Sequence, residues 1–128
     1  MSKDIVVLAG REVSEATFGA AVRVAGEELW VSGEDGVLWF SEGEGGRVLF
    51  SVEVPVLVRV PGEVERVLGP GVRPVAVPVW FIEVRASEVD GAEVPAMRFA
   101  AELSLQLDGS VWADDPAYAE RAGLRGAS

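Results

Sequence analysis

Short apolar runs separated by glycine-rich turns make up the first part of this chain. The five apolar residues from Ile5 to Ala9 predict a buried strand, which Gly10 ends. Apolar residues then recur every three or four positions, a spacing typical of an amphipathic helix. Ser14 is the expected N-cap of this helix, and Gly26 is its expected stop.

The middle of the chain predicts an antiparallel meander of three strands. Residues 29–31 and 37–40 are apolar, and the turn residues 33–36 join them with glycines that tolerate a positive φ. The third strand is expected over 48–60, where alternate apolar residues make one face fully apolar. Pro55 in its middle predicts an edge position or a bulge, because proline cannot donate a ladder hydrogen bond.

The remainder of the chain alternates helices with single strands. A two-turn helix is predicted over 61–70, starting with a proline at its first position. Residues 79–85 predict a strand that is central in its sheet, because its first half is apolar on both faces. A last short strand is expected at 110–113, and Asp115 caps a final helical turn after it. Residues 124–128 are expected to fray.

Residues 92–107 fit two patterns at once. Their apolar side chains alternate as in a strand, whereas Arg98, Glu102 and Gln106 form one polar stripe at helical spacing. β-Branched residues are missing after Val94, and most of the residues that follow are good helix formers. We therefore predict a helix.

The resulting order of elements is β-α-β-β-β-α-β-α-β-α. A meander with scattered helices predicts an α+β fold, a two-layer sandwich with helices mainly on one face of a largely antiparallel sheet. The 128 residues suffice for one core, so 1–123 is expected to be a single domain.

The net charge of −10, from 21 acidic and 11 basic residues, limits the choice of partners. Such a chain repels nucleic acid phosphate and anionic lipid, so both are disfavoured, and a basic partner is the electrostatically natural one. The N-terminus lacks a basic region followed by an apolar stretch, so we expect a cytoplasmic protein. Abundant Ala, Gly, Val, Arg and Glu with a single Lys indicates a high-GC bacterial genome.

Two absent residue types exclude several kinds of catalysis. The chain contains neither histidine nor cysteine, so it cannot build a Ser-His-Asp triad, a cysteine nucleophile or a zinc site of imidazole and thiolate. Neighbouring carboxylates occur in turns, where solvent keeps pKa shifts small: Glu34 with Asp35, Glu42 with Glu44, and Asp114 with Asp115. We expect no catalytic residue, no cofactor and no metal site.

Glu83 and Arg85 share one face of the strand at 79–85. They could form a polar pair in a pocket; alternatively, both could reach the sheet edge, or pair with Arg59 and Glu53 across the sheet. We favour the second interpretation, because exposed charges on a half-buried sheet are common.

Two pairs of adjacent aromatic residues give the candidate interface: Trp39 with Phe40, and Trp80 with Phe81. Neighbours on a strand point to opposite faces, so each strand sends one large aromatic ring to each side of the sheet. If helices cover one face, the other carries an apolar patch of the kind that marks an interface. The alternative is that helices or long loops cover both faces.

Three functions remain as hypotheses. The first is a non-enzymatic interaction domain that buries its apolar sheet face in a homodimer or against another protein, as a chaperone-like or immunity-like binder. The second is a small-ligand-binding domain with a pocket between sheet and helices. The third is an enzyme that uses carboxylates.

Overall fold

The computed structural model describes residues 3–69, 72 and 74–123. Its strands and helices are β1 (Lys3–Ala9), α1 (Glu15–Ala25), β2 (Trp30–Glu34), β3 (Val37–Ser41), β4 (Val48–Glu53), β5 (Val56–Val58), α2 (Glu63–Leu68), β6 (Val79–Ala86), α3 (Glu93–Gln106), β7 (Ser110–Ala113) and α4 (Ala117–Arg121). All strands pair antiparallel in one sheet of order β2-β3-β4-β6-β1-β7, and β5 also pairs with β6. The predicted α+β fold is confirmed.

Several predicted elements have the expected boundaries and caps. α1 follows Ser14, whose Oγ accepts a hydrogen bond from the Thr17 amide at 3.2 Å, while the Ser14 amide donates to Thr17 Oγ1 at 2.9 Å. β6 lies between β1 and the β4 and β5 segments, so its predicted central position is confirmed. Residues 93–106 form α3, as the polar stripe indicated. Asp115 Oδ1 accepts a hydrogen bond from the Ala117 amide at 2.9 Å where α4 begins.

The helix predicted over 61–70 is shorter than expected at its start. Gly62 is its N-cap and has a left-handed φ of 85°, so Pro61 lies before the helix rather than at its first position. The Gly69 amide donates to the Glu65 carbonyl and closes the last turn, as expected of a glycine stop. Pro70 and the tail at 124–128 lie outside the described residues, so the statements about them stay predictions.

The predicted third strand is two strands, because a bulge at Val54 and Pro55 divides it. Val52 pairs with Val84 and Val56 pairs with Phe81, so the chain advances four residues along β4 and β5 but three along β6. The extra residue turns the following side chains to the other face of the sheet. The predicted bulge is confirmed, and the prediction of one continuous apolar face over 48–60 is wrong.

Helices α1 and α3 cover one side of the sheet, which we call the helix-side face. Phe40 and Phe50 are fully buried there and stack with ring centroids 4.4 Å apart. Phe99 of α3 lies 5.6 Å from both rings, and Phe18 of α1 makes an edge contact with Phe99 at 5.3 Å. Aromatic rings from two strands and two helices therefore form the centre of the main core.

A second, smaller core lies on the opposite side of the sheet. Val64 of α2 is buried there against Val6, Leu8 and Val79. This core covers the half of that side formed by β1, β5, β7 and the beginning of β6. Over the other half, formed by β2, β3, β4 and the end of β6, the described part of the chain places no helix. We call this half the open face.

The two sides of β3 provide a direct test of the described core. Phe40→Ala is expected to lower the free energy of unfolding by roughly 3–5 kcal/mol, because it removes a buried ring from the main core. Trp39→Ala, one residue earlier and on the open face, is expected to cost about 1 kcal/mol. Urea unfolding of both variants measures the difference, and equal losses would contradict the assignment of the two faces.

A buried carboxylate joins both ends of the described chain. Glu93, at the start of α3, has a side chain only 8% exposed, and its Oε2 lies 2.8 Å from Lys3 Nζ of β1. Its Oε1 lies 3.2 Å from Arg121 of α4. The hydrogen bond from Lys3 is the main reason why the pKa of Glu93 lies below its usual range, with burial opposing it. The carboxylate therefore links one strand and two helices in its charged form.

The lowered pKa of Glu93 predicts acid-sensitive stability. Its stabilisation is complete above the unfolded-state pKa and is lost as pH falls through the folded-state pKa. Glu93→Gln should therefore lower the free energy of unfolding by roughly 1.5–3 kcal/mol near pH 7 and by less near pH 3. Urea unfolding at both pH values measures this, with Glu120→Gln, an exposed site on α4, as the control. An equal loss at both pH values for Glu93→Gln would contradict the charged-pair explanation.

Candidate functional site

Two tryptophans lie next to each other on the open face. Trp39 of β3 pairs with Ser32 of β2, and Trp30 of β2 pairs with Ser41 of β3, which makes the two indoles diagonal neighbours on one side of the hairpin. Trp30 is 50% exposed and Trp39 is 39% exposed. The open face therefore presents a large aromatic surface at the edge of the sheet.

The turn between β2 and β3 fixes this arrangement. Asp35 and Gly36 both have positive φ angles, 53° and 79°, as a two-residue type I′ turn requires. Strand pairing then extends to Glu34 and Val37, directly beside the turn. The sequence prediction used a longer connection over 33–36 and so missed Trp30. The Asp-Gly pair was the signal that could have placed Trp30 beside Trp39.

The four predicted interface aromatics lie in different surroundings. Trp39 is on the open face, whereas Phe40 is fully buried in the main core. Trp80 is half-buried on the helix-side face, and Phe81 is half-buried against the second core. Trp39 and Phe81 lie on the same side of the sheet but not in one patch. Trp39 lies opposite Ser51 of β4, and Ser51 lies opposite Arg85 of β6, four residues beyond Phe81. The part that these residues play in an interface stays a prediction.

Charged side chains continue the open face beyond the tryptophans. Arg85 Nε lies 3.1 Å from Asp4 Oδ1, and the Arg85 guanidinium lies 3.7 Å from Glu83. Glu83 lies against Glu53 of β4, and burial together with the hydrogen bond and negative charge of Glu53 raises its pKa. Both side chains are about half-exposed, as the favoured interpretation expected, but Arg85 pairs with Asp4 and Glu83 rather than with Glu53. Register explains this, since β4 places Ser51, not Glu53, opposite Arg85.

A cleft of about 680 Å³ lies on the helix-side face of the same hairpin. Phe18 of α1, Leu103 of α3 and Trp80 of β6 contribute to its apolar lining. Glu12, Glu34, Asp35 and Glu53 also border it, but strand alternation directs the side chains of Glu34 and Glu53 to the open face. The β2–β3 hairpin thus separates an aromatic surface from an apolar cleft that has Glu12 and Asp35 at its rim.

The described residues contain neither a metal-binding cluster nor a membrane-spanning helix. Within residues 3–69, 72 and 74–123, no group of three or more metal-ligating side chains is placed to hold an ion. None of the described helices combines the length and the apolar character needed to cross a bilayer. Comparison with known proteins finds no family model, no curated protein and no solved structure that matches this chain.

The partial burial of Glu83 and its contact with Glu53 predict a gain of stability on neutralisation. A raised folded-state pKa means that the charged form of Glu83 is disfavoured in the native protein, so its cost appears as pH rises above the unfolded-state pKa. Glu83→Gln should therefore raise the free energy of unfolding at pH 7, by less than about 1 kcal/mol because the site is partly solvated.

Thermal unfolding at pH 7 and pH 3.5 measures this effect. The gain should shrink at the lower pH, where the wild-type carboxyl is protonated. A loss of stability at pH 7 would mean that attraction to Arg85 outweighs repulsion from Glu53.

Proposed function

We propose that this chain is a non-enzymatic protein-interaction domain that binds its partner through the open face. The observation that carries the proposal is the pair of half-exposed tryptophans, Trp30 and Trp39, side by side on one surface. Tryptophan is enriched among the residues that dominate binding energy in protein interfaces. A contiguous exposed aromatic surface is also uncommon on proteins without a partner.

The edge position of β2 supports a protein as the occupant. All five residues of β2 are exposed, and β2 is the last strand on its side of the sheet. Edge strands are commonly protected by lysine, proline or a bulge, because their unpaired backbone groups can pair with another chain. The sequence of β2, Trp-Val-Ser-Gly-Glu, contains neither lysine nor proline. A partner can therefore contact both the tryptophans and the backbone of this strand.

The charges around the tryptophans favour a basic partner over a second copy. Glu34, Glu53 and Glu83 lie on this part of the sheet, and Arg85 is already engaged with Asp4. Two copies related by a two-fold axis would bring the same carboxylates together, and like charges across an interface cost binding energy. A basic surface would meet them with opposite charge. The cytoplasmic location stays a prediction.

A photo-crosslinking amino acid at position 32 tests the proposal. Ser32 lies opposite Trp39 on the open face, and position 105 on α3, where Leu105 is 75% exposed, is the matched control. In cells of the source organism, crosslinks from position 32 are expected to a basic protein that position 105 does not capture. Replacing Trp30 and Trp39 by alanine should abolish these crosslinks while the domain stays folded by circular dichroism.

Two other outcomes are informative. Crosslinks to this chain itself, with a dimer in sedimentation that strengthens as salt is added, would replace the basic partner by a second copy. Equal crosslinking from positions 32 and 105, unchanged by the tryptophan substitutions, would overturn the proposed interface.

A further inference from the structure

We propose that the cleft on the helix-side face binds a small organic cation with an apolar body. This site lies on the other side of the β2–β3 hairpin from the open face, and its argument does not depend on the protein interface. Its volume, about 680 Å³, is in the range of small-molecule sites. The ligand class follows from the shape, lining and charge of the cleft.

The cleft exists because the sheet extends beyond the helices at this end. The described helix α1 begins only at Glu15, and the β2–β3 hairpin continues past it to Asp35 and Gly36. Gly33, which pairs with Leu38, contributes no side chain to the space above the sheet. A Cβ at Gly33 would lie 3.1 Å from the Leu38 side chain, so a larger residue there would begin to fill the cleft.

The apolar lining provides a surface for the body of the ligand. Phe18, Leu38, Val52, Ile82 and Leu103 come from both helices and three strands. Leu103 and Ile82 are almost fully buried, and Phe18 and Leu38 are half-buried. An apolar group that enters the cleft is removed from water, and this makes the free energy of binding more favourable by roughly 25 cal/mol per Å² of apolar surface buried.

The charged residues around the cleft favour a positively charged ligand. Glu12 and Asp35 are among its lining residues, and no basic residue is among the described residues that line it. An anion would be repelled by these carboxylates and by the net charge of −10. A cation would be attracted by the same groups, and the half-buried indole of Trp80 adds a ring face that can attract a cation.

Two probes with the same ring and opposite charge test this site. Calorimetry at low salt compares 2-(1-naphthyl)ethylammonium with 3-(1-naphthyl)propionate. The ammonium is expected to bind one to one and at least about tenfold more tightly than the carboxylate, because the described residues that line the cleft include acidic residues and no basic one. Binding should shift the NMR signals of Leu38 and of the Trp80 indole more than those of Trp30.

Substitutions in β2 separate the cleft from the open face. Gly33→Phe places a ring in the cleft and should abolish binding of the ammonium. Ser32→Phe, the next position on the same strand but on the opposite side, should leave it unchanged. Circular dichroism and thermal unfolding confirm that both variants are folded.

A charge series tests the cleft without added bulk. Glu12→Gln and Asp35→Asn together should weaken binding of the ammonium by about tenfold. Asparagine is chosen because it tolerates the positive φ of Asp35. The matched control neutralises Glu27 and Glu44, two exposed carboxylates outside the cleft, and should change affinity little.

Three results would overturn the proposal. These are equal binding of both probes, an equal loss of affinity in the two charge variants, or no binding of either probe to the wild-type domain. The first two would indicate attraction to the net charge rather than to the cleft. Each leaves the crosslinking test of the open face intact, so the two proposals fail independently.

Discussion

The bulge at Val54 and Pro55 is the constraint on which the rest of this fold depends. Proline cannot donate a ladder hydrogen bond, and the chain accommodates it by inserting one extra residue against β6. Before the bulge, Phe50 and Val52 face α1 and α3; after it, Val58 faces the second core. A single stretch of alternating valines thus supplies apolar side chains to both sides of the sheet.

The tip of the β2–β3 hairpin lies outside both cores. The main core is centred on the phenylalanine rings beneath α1 and α3, and the second core lies beneath α2. The β2–β3 hairpin extends past both, with Trp30 and Trp39 on one side and the cleft on the other. The two candidate binding surfaces are therefore consequences of where the helices end.

The sequence predicted features that depend on local chemistry. The Ser14 cap, the Gly69 stop and the bulge at Pro55 are each determined by residues within a few positions of one another. It did not predict features that depend on strand register. A two-residue turn in place of a longer connection determines that Trp30 lies beside Trp39. The register of β4 against β6 places Glu53 beside Glu83 rather than beside Arg85, two residues away. Neither the length of the turn nor the register between strands changes the hydrophobic pattern along a single strand.

The attachment of β2 has a consequence for communication within the domain. β2 is an edge strand paired with β3 alone, and its five residues are exposed. Such segments open locally at a lower free-energy cost than the strands of a core. The backbone hydrogen bonds between β2 and β3 hold in place both Gly33, which lines the cleft, and Trp30, which lies on the open face. Any molecule that orders the hairpin from one side lowers the entropic cost of binding on the other, and thermodynamic linkage makes that effect reciprocal.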